Sequence, residues 1–182
     1  MRKAGFVVLA VLWFVPLAVT QTPDKVNIFL GYSYANVNSF AFADGNRLHV
    51  HGWEASFEGK VFRWVGFVAD VDDRSGTLCP GPVPSCAPGN VTVSQSDVLF
   101  GPRLSVPIGR VRPFVEGLFG FEHVATNDFG PDKSFATALG GGVDYRLMRH
   151  VAWRFEGDYM RTNLFSTRQS NMRLSTGIVA RF

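Results

Sequence analysis

Charged residues recur at every second position in several stretches of the sequence, and their chemistry needs to be explained first. Arg154, Glu156 and Asp158 share one parity of the segment 151–161, whereas Trp153 and Phe155 belong to the other. Side chains alternate between the two faces of a β-strand, so this spacing predicts a strand with one charged and one apolar face. Carboxylates and guanidinium groups on one face can form ion pairs, and neighbouring carboxylates can pass protons.

The same alternation in other segments predicts a set of charged side chains that face one narrow interior. Because carboxylates and arginines are both present, we interpret the set as an ion-pair network that fills the interior and fixes the strand register. A proton or ion path is the alternative, although eight strands do not enclose an open aqueous pore. The predicted members are Glu54, Glu58, Asp70, Asp97, Arg103, Glu116, Asp144, Arg154, Glu156, Asp158, Arg173 and Arg181.

The amino end has the three parts of a secretory signal peptide. A short basic start is followed by an almost wholly apolar stretch at 4–17 and by small residues at 18–20, before Gln21. We therefore predict a signal peptide over 1–20 and a barrel domain over 21–182, with a membrane-anchoring helix as the alternative to cleavage. Without Arg2 and Lys3 the formal charge falls from +3 to +1, which argues against a nucleic-acid partner.

Two cysteines, Cys79 and Cys86, bracket the segment CPGPVPSC. An exported protein meets an oxidising compartment, and the prolines between the cysteines favour a turn, so this pair can form a disulfide. We expect such a bridge to stiffen a loop and not to perform redox catalysis. Metal binding is disfavoured because no nearby His or third Cys completes a ligand set.

Eight alternating segments follow the leader, and each is about ten residues long, enough to cross a bilayer as a tilted strand. Long and short connections alternate between them, as in outer-membrane barrels with short periplasmic turns and longer outer loops. No run of 18 uninterrupted apolar residues follows the leader, so any span must be made by strands. The predicted fold is all-β, an eight-stranded antiparallel up-and-down transmembrane barrel. The predicted strands cover about 26–35, 48–59, 62–72, 93–105, 111–122, 135–146, 151–161 and 171–182.

Two kinds of eight-stranded barrel are distinguished by the face that carries the apolar residues. A soluble lipocalin-like barrel would turn the large apolar side chains inward, and a membrane barrel would turn them toward lipid. One parity here is dominated by large residues such as Trp53, Phe155 and Ile178, whereas the other mixes charges with glycine and alanine. Large aromatics from every strand would overfill an eight-stranded interior, so we expect the apolar parity to face lipid.

The last segment, NMRLSTGIVARF, alternates in the same way and ends on Phe182. Together with the runs LFGPR at 99–103 and GGGVD at 140–144, it resembles the OmpA-like family of small eight-stranded outer-membrane barrels. The resemblance covers about 26–182, the barrel domain alone, and implies no cofactor. It implies that the outer-membrane assembly machinery reads Phe182 as part of its signal and that outer-membrane lipid surrounds the barrel. It also implies a structural or surface-interaction role: envelope integrity, adhesion, or binding of an extracellular protein or glycan through four outer loops.

Some small outer-membrane barrels are enzymes that modify the acyl chains of lipid A, so a lipid A hydrolase is the enzymatic alternative. Those enzymes use His with Ser and an acid near the barrel rim. His49, His51 and His123 lie at predicted outer strand ends, and His123 with Thr126 and Asn127 comes nearest to that motif. The Ser expected two residues after His is missing, so we assign no catalytic residue.

Overall fold

The structure, a computed structural model, describes residues 26–38, 47–78, 91–126, 130–164 and 167–182. Strands make up almost all of the described chain, and among the described residues no helix is long and apolar enough to cross a membrane. The eight strands are β1 (Val26–Asn38), β2 (Arg47–Lys60), β3 (Val65–Leu78), β4 (Val91–Ser105), β5 (Val111–Thr126), β6 (Gly130–Arg146), β7 (Val151–Leu164) and β8 (Thr167–Arg181).

Each strand pairs antiparallel with its neighbours in sequence, and β8 pairs with β1 to close the sheet. The predicted eight-stranded up-and-down barrel is thereby confirmed. At the closing seam the backbone N–H of Phe182 donates to the carbonyl of Val26 at 2.9 Å, and the Val26 N–H donates back at 3.2 Å. Closure leaves no unpaired sheet edge, which is the condition for a sheet to lie in hydrocarbon.

Short turns join the strands at one end of the barrel, and they comprise residues 61–64, 106–110 and 147–150. In the middle turn, Ile108 and Val111 exchange backbone hydrogen bonds of 2.8 and 3.0 Å, and Gly109 supplies the left-handed φ of 61° that this tight hairpin needs. We assign this end to the periplasm, because the two longest connections, 39–46 and 79–90, lie at the opposite end and the longer loops of outer-membrane barrels face outward. The opposite end is called the outer end below.

The strands continue further at the outer end than the sequence pattern predicts. β3 extends to Leu78 instead of stopping near 72, and β8 begins at Thr167 instead of 171. Three residues separate β5 from β6 and two separate β7 from β8, so the prediction of long third and fourth outer loops is wrong. The reason is that residues such as Pro131, which pairs with Ala125, are turn formers by type but extend the ladder here.

The two faces of the sheet have the polarity that the alternation predicts. Trp53, Phe155 and Ile178 point away from the barrel axis and are 42%, 59% and 41% exposed, while Glu54 and Arg173 are fully buried inside. A soluble lipocalin-like barrel has the opposite arrangement. The interior also contains apolar side chains, which fill space between the charged groups. They form two clusters, Val68, Leu99, Leu118, Ala136, Ala138 and Met160 in one and Phe29, Ala152 and Val179 in the other.

Candidate functional site

The structure places every charged side chain of the predicted network inside the barrel. None is more than 6% exposed, although each comes from a strand whose opposite face is apolar. Alternation explains this placement, because each strand contributes every second residue to the interior. These inward residues are Glu54, Glu58, Asp70, Asp97, Arg103, Glu116, Asp144, Arg154, Glu156, Asp158, Arg173 and Arg181.

Arg173, on β8, is the centre of the outer half of the interior. Its Nη1 donates to Asp70 at 2.8 Å and also to Asp72, and its Nη2 donates to Asp158 at 2.6 Å. Glu54 lies 3.7 Å from the same Nη1. One fully buried guanidinium group therefore forms ion pairs with four carboxylates from three other strands.

Arg74 extends this group of charges toward the outer end. Its Nε donates to Asp72 at 3.1 Å, and its Nη2 donates to Asp97. Asp72 therefore accepts from both Arg74 and Arg173 and joins them into one connected set. We call it the outer network, and it consists of Arg74, Arg173, Glu54, Asp70, Asp72, Asp97 and Asp158.

A second connected set lies toward the periplasmic turns. Arg103 donates from Nε to Glu116 at 2.5 Å, and its Nη2 lies 3.3 Å from Glu156. Arg154 donates to Asp144 at 2.7 Å. We call it the periplasmic network, and it consists of Arg103, Arg154, Arg181, Glu58, Glu116, Asp144 and Glu156.

Two phenylalanine rings fill the space between the arginines of the periplasmic network. The guanidinium carbons of Arg103 and Arg154 lie 4.3 and 4.7 Å from the centroid of Phe114, and Arg154 also lies 5.1 Å from Phe29. A cation over an aromatic face is attracted by the ring quadrupole, most strongly where water is excluded. The rings therefore hold the guanidinium planes while the carboxylates accept at their edges.

Among the described residues, three charged members of the interior were not predicted from the sequence, namely Asp72, Arg74 and Glu122. All three are at most 1% exposed, and Glu122 accepts a hydrogen bond from Gln95. Glu122 is the last residue of its predicted strand. Asp72 and Arg74 were missed because they stand at and beyond the predicted end of strand three, near 72. Their positions two and four residues after Asp70 continue the inward parity, which is the signal that identifies them.

His123 faces outward near the outer end of β5. It is the register partner of Ser96 on β4 and of Lys133 on β6, while the adjacent Glu122 points into the interior. The side chain of Thr126 and the whole of Asn127 lie outside the described residues, as do Cys79 and Cys86. The disulfide and the signal peptide therefore remain predictions. Phe182 is 65% exposed, and its backbone closes the seam with β1.

Polar side chains replace apolar ones on the outward face as the strands approach the outer end. The Tyr34 hydroxyl hydrogen bonds to Nδ1 of His49, and the two rings stack with centroids 5.7 Å apart. Arg161 lies over the ring of Tyr159 at 5.3 Å. Amphipathic aromatic rings and cations suit the headgroup level of a bilayer. We call this set the outer rim, and it consists of Tyr34, His49, His51, Asp73, Ser75, Ser94, Ser96, His123, Lys133 and Arg161.

An apolar outward belt, a polar outer rim and a buried charged interior together define a bilayer-spanning β-barrel protein. No protein-family model matches the sequence, and no curated protein matches it either. The fold is nevertheless that of the small eight-stranded outer-membrane barrels of OmpA-like type, as comparison with solved structures shows.

Three solved structures illustrate the likeness, all at sequence identities that speak for the fold alone. Neisserial surface protein A is 12% identical with a TM-score of 0.67, over 89% of this chain and 100% of that one. Ail, the attachment invasion locus protein of Yersinia pestis, in complex with the heparin analogue sucrose octasulfate, is 16% identical with a TM-score of 0.57, over 87% and 99%. The N-terminal β-barrel domain of Pseudomonas aeruginosa OprF is 10% identical with a TM-score of 0.51, over 88% and 100%.

Proposed function

We propose that the protein is an integral outer-membrane barrel with a structural or surface-interaction role. The observation that carries the proposal is the change of polarity along the outward face. The apolar belt, with residues such as Phe155 and Leu139, gives way to the outer rim while the strands remain paired. A rigid, bilayer-anchored sheet thus carries polar groups and four connections to the outer surface, where a partner can reach them.

A sulfated glycan is the first partner to test. The rim carries exposed cations at Lys133 and Arg161, which suit sulfate groups. Ail, which has the same fold, is described in complex with a heparin analogue. The choice of a glycan over a protein partner rests on these two points.

The localisation test uses the full chain expressed in a Gram-negative host. We expect the protein in the outer-membrane fraction, extractable only with detergent, and faster in SDS gels before boiling than after it, because a closed barrel resists the detergent cold. Recovery in the soluble fraction would contradict the proposal.

The partner test uses the purified barrel on immobilised heparin. We expect the double variant Lys133→Ala/Arg161→Ala to elute at lower salt than the wild type, because fewer cations meet the sulfates. The matched control is Arg149→Ala, an exposed cation in a periplasmic turn, which should elute like the wild type. Equal elution of all three proteins would exclude the rim as a glycan site and leave the membrane assignment intact.

A lipid A hydrolase is the second candidate, because His123 and Ser96 are register partners on the lipid-facing side near the outer rim. An acyl hydrolase needs a base beside a nucleophile at this depth. The test is mass spectrometry of lipid A from cells that express the wild type or His123→Ala. Loss of an acyl chain with the wild type alone would establish this activity, and unchanged lipid A in both strains would remove it.

A further inference from the structure

The interior contains more carboxylates than cationic groups. Among the described residues, the two networks hold nine carboxylates and five guanidinium groups. Lys60 and Arg112 are half-buried near the periplasmic turns and offset part of the excess there. The outer network, with five carboxylates on two arginines, keeps its excess. A buried charge without a counter-charge is strongly destabilising, so a bound cation or protons must offset this excess.

The two networks meet at three carboxylates. Glu116 and Glu156 belong to the periplasmic network and Asp158 to the outer one, yet one oxygen from each lies within 4.8 Å of the others. Arg103 pairs with both Glu116 and Glu156, but Asp158 has its ion pair with Arg173. Like charges this close repel unless a cation lies between them or one of them takes up a proton.

The strand register gives these carboxylates a shared space. Glu116 on β5 pairs with Gly140 on β6, and Gly140 pairs with Asp158 on β7, so a residue without a side chain separates the two acids. A Cβ added at Gly140 would lie 1.7 Å from Oδ1 of Asp158, which shows that this oxygen occupies the space over the glycine.

Two oxygens at the junction have no hydrogen-bond donor. Among the described residues, none donates to Oε1 of Glu116 or to Oδ1 of Asp158, although both side chains are at least 99% buried. A buried carboxylate oxygen without a donor is satisfied by a proton, a water or a cation. Oxygens elsewhere in the two networks also lack a donor, and among the described residues the junction is the place where three acids converge.

We propose that Glu116, Glu156 and Asp158 bind one Ca²⁺ ion in the interior, where it joins the two networks. Ca²⁺ takes six to eight oxygen ligands at about 2.3–2.6 Å in flexible geometry, so opposite ligands stand about 4.8 Å apart. Each of the three carboxylates offers one oxygen within 4.8 Å of the other two, and water can supply the remaining ligands. Mg²⁺ fits less well, because it requires near-octahedral ligands at about 2.0–2.1 Å and retains its waters. The ion would act as a structural cross-link between β5 and β7 across Gly140 of β6.

The test supplies Ca²⁺ while the full barrel refolds from urea into zwitterionic micelles free of lipopolysaccharide, whose phosphates also bind Ca²⁺. After removal of free metal, elemental analysis gives the Ca²⁺ retained per folded barrel. We expect about one equivalent for the wild type, and a urea midpoint higher after refolding with Ca²⁺ than after refolding with EDTA. Mg²⁺ in place of Ca²⁺ should raise the midpoint less.

Glu116→Gln should lose the retained Ca²⁺ and the midpoint difference. Glu122→Gln is the matched control, since it changes another buried glutamate of β5 outside the junction and should retain both. Should Glu116→Gln not fold, Asp158→Asn serves in its place, and the wild-type comparison alone already decides. Absence of retained Ca²⁺ from the wild type would overturn the proposal, as would equal retention by Glu116→Gln. An unfolding midpoint that responds to pH but not to Ca²⁺ would assign the missing charge to protons and overturn it as well.

Discussion

Removal of the Arg173 guanidinium should destabilise the barrel more than any other single loss of charge in the outer network. Arg173→Met keeps much of the aliphatic volume but leaves Glu54, Asp70, Asp72 and Asp158 without the cation they share. Breaking a buried pair by deleting one partner costs about 3–5 kcal/mol. Since only Asp72 has another guanidinium partner among the described residues, Arg74, we expect a value at the upper end of that range.

The measurement is reversible urea unfolding in phospholipid vesicles, followed by tryptophan fluorescence and by the mobility difference in gels. With an m-value of about 2 kcal/mol per molar urea, a loss of about 4 kcal/mol lowers the midpoint by about 2 M. Arg181→Met is the control, because within the described part of the chain Arg181 makes one ion pair, at 3.1 Å from Asp144, and Asp144 also pairs with Arg154. That variant should lose roughly 1–2 kcal/mol.

The pH dependence separates the charge effect from the loss of packing. Lowering the pH protonates carboxylates, so the wild type loses ion pairs while Arg173→Met loses unpaired charge. The difference between the two midpoints should therefore shrink as the pH falls. The reasoning is refuted if Arg173→Met unfolds at the same urea concentration as Arg181→Met, or if the difference is independent of pH.

Three further experiments, with five variants, test the two faces and the seam. Gly120→Val should lower the free energy of unfolding by about 1–3 kcal/mol, because its Cβ would lie 2.0 Å from the backbone of β4. Gly117→Val on the same strand has open space and should be neutral or stabilising. The urea midpoints of the two variants decide, and equal midpoints would contradict this packing. Phe155→Arg in the apolar belt should lower the free energy of unfolding by about 2–4 kcal/mol, and Met148→Arg in a periplasmic turn by about 0–1 kcal/mol. A larger loss for Met148→Arg than for Phe155→Arg would exclude this placement in the membrane. Phe182→Ala should reduce the amount of assembled barrel in cells but leave the urea midpoint in micelles nearly unchanged, since the backbone hydrogen bonds of the seam remain. A normal amount of the variant in the outer membrane would rule out a role of Phe182 as an assembly signal.

The alternation of apolar and polar residues was sufficient to predict the barrel. The outer face of the sheet contacts hydrocarbon and the inner face encloses a crowded interior, so the two faces require opposite residue types. Trp53 and Glu54 are adjacent in sequence and lie on opposite sides of the wall, as their types predict. The alternation no longer predicts the strands where the sheet leaves the hydrocarbon layer. Beyond the apolar belt both faces are polar, so the types of Asp73 and Arg74 no longer distinguish outside from inside while the ladder continues.

Membership of the interior could be predicted from the sequence, but its pairing could not. Arg173 contacts Asp70 across the interior at a separation of 103 residues, and neither adjacency nor parity specifies that contact. Which strands face each other depends on the tilt and stagger of the closed sheet. The junction of Glu116 with Asp158 likewise depends on Gly140 lying between them in register.

The seam between β1 and β8 joins the two strands most distant along the chain, so the barrel cannot exist in part. The backbone hydrogen bonds between Val26 and Phe182 form only when β8 reaches β1. Until then, a sheet of seven paired strands would present two open edges to hydrocarbon. Contacts of such long sequence separation form slowly. A newly exported chain must therefore be kept from aggregating until its final strand arrives, and a catalyst of closure would act at this one seam.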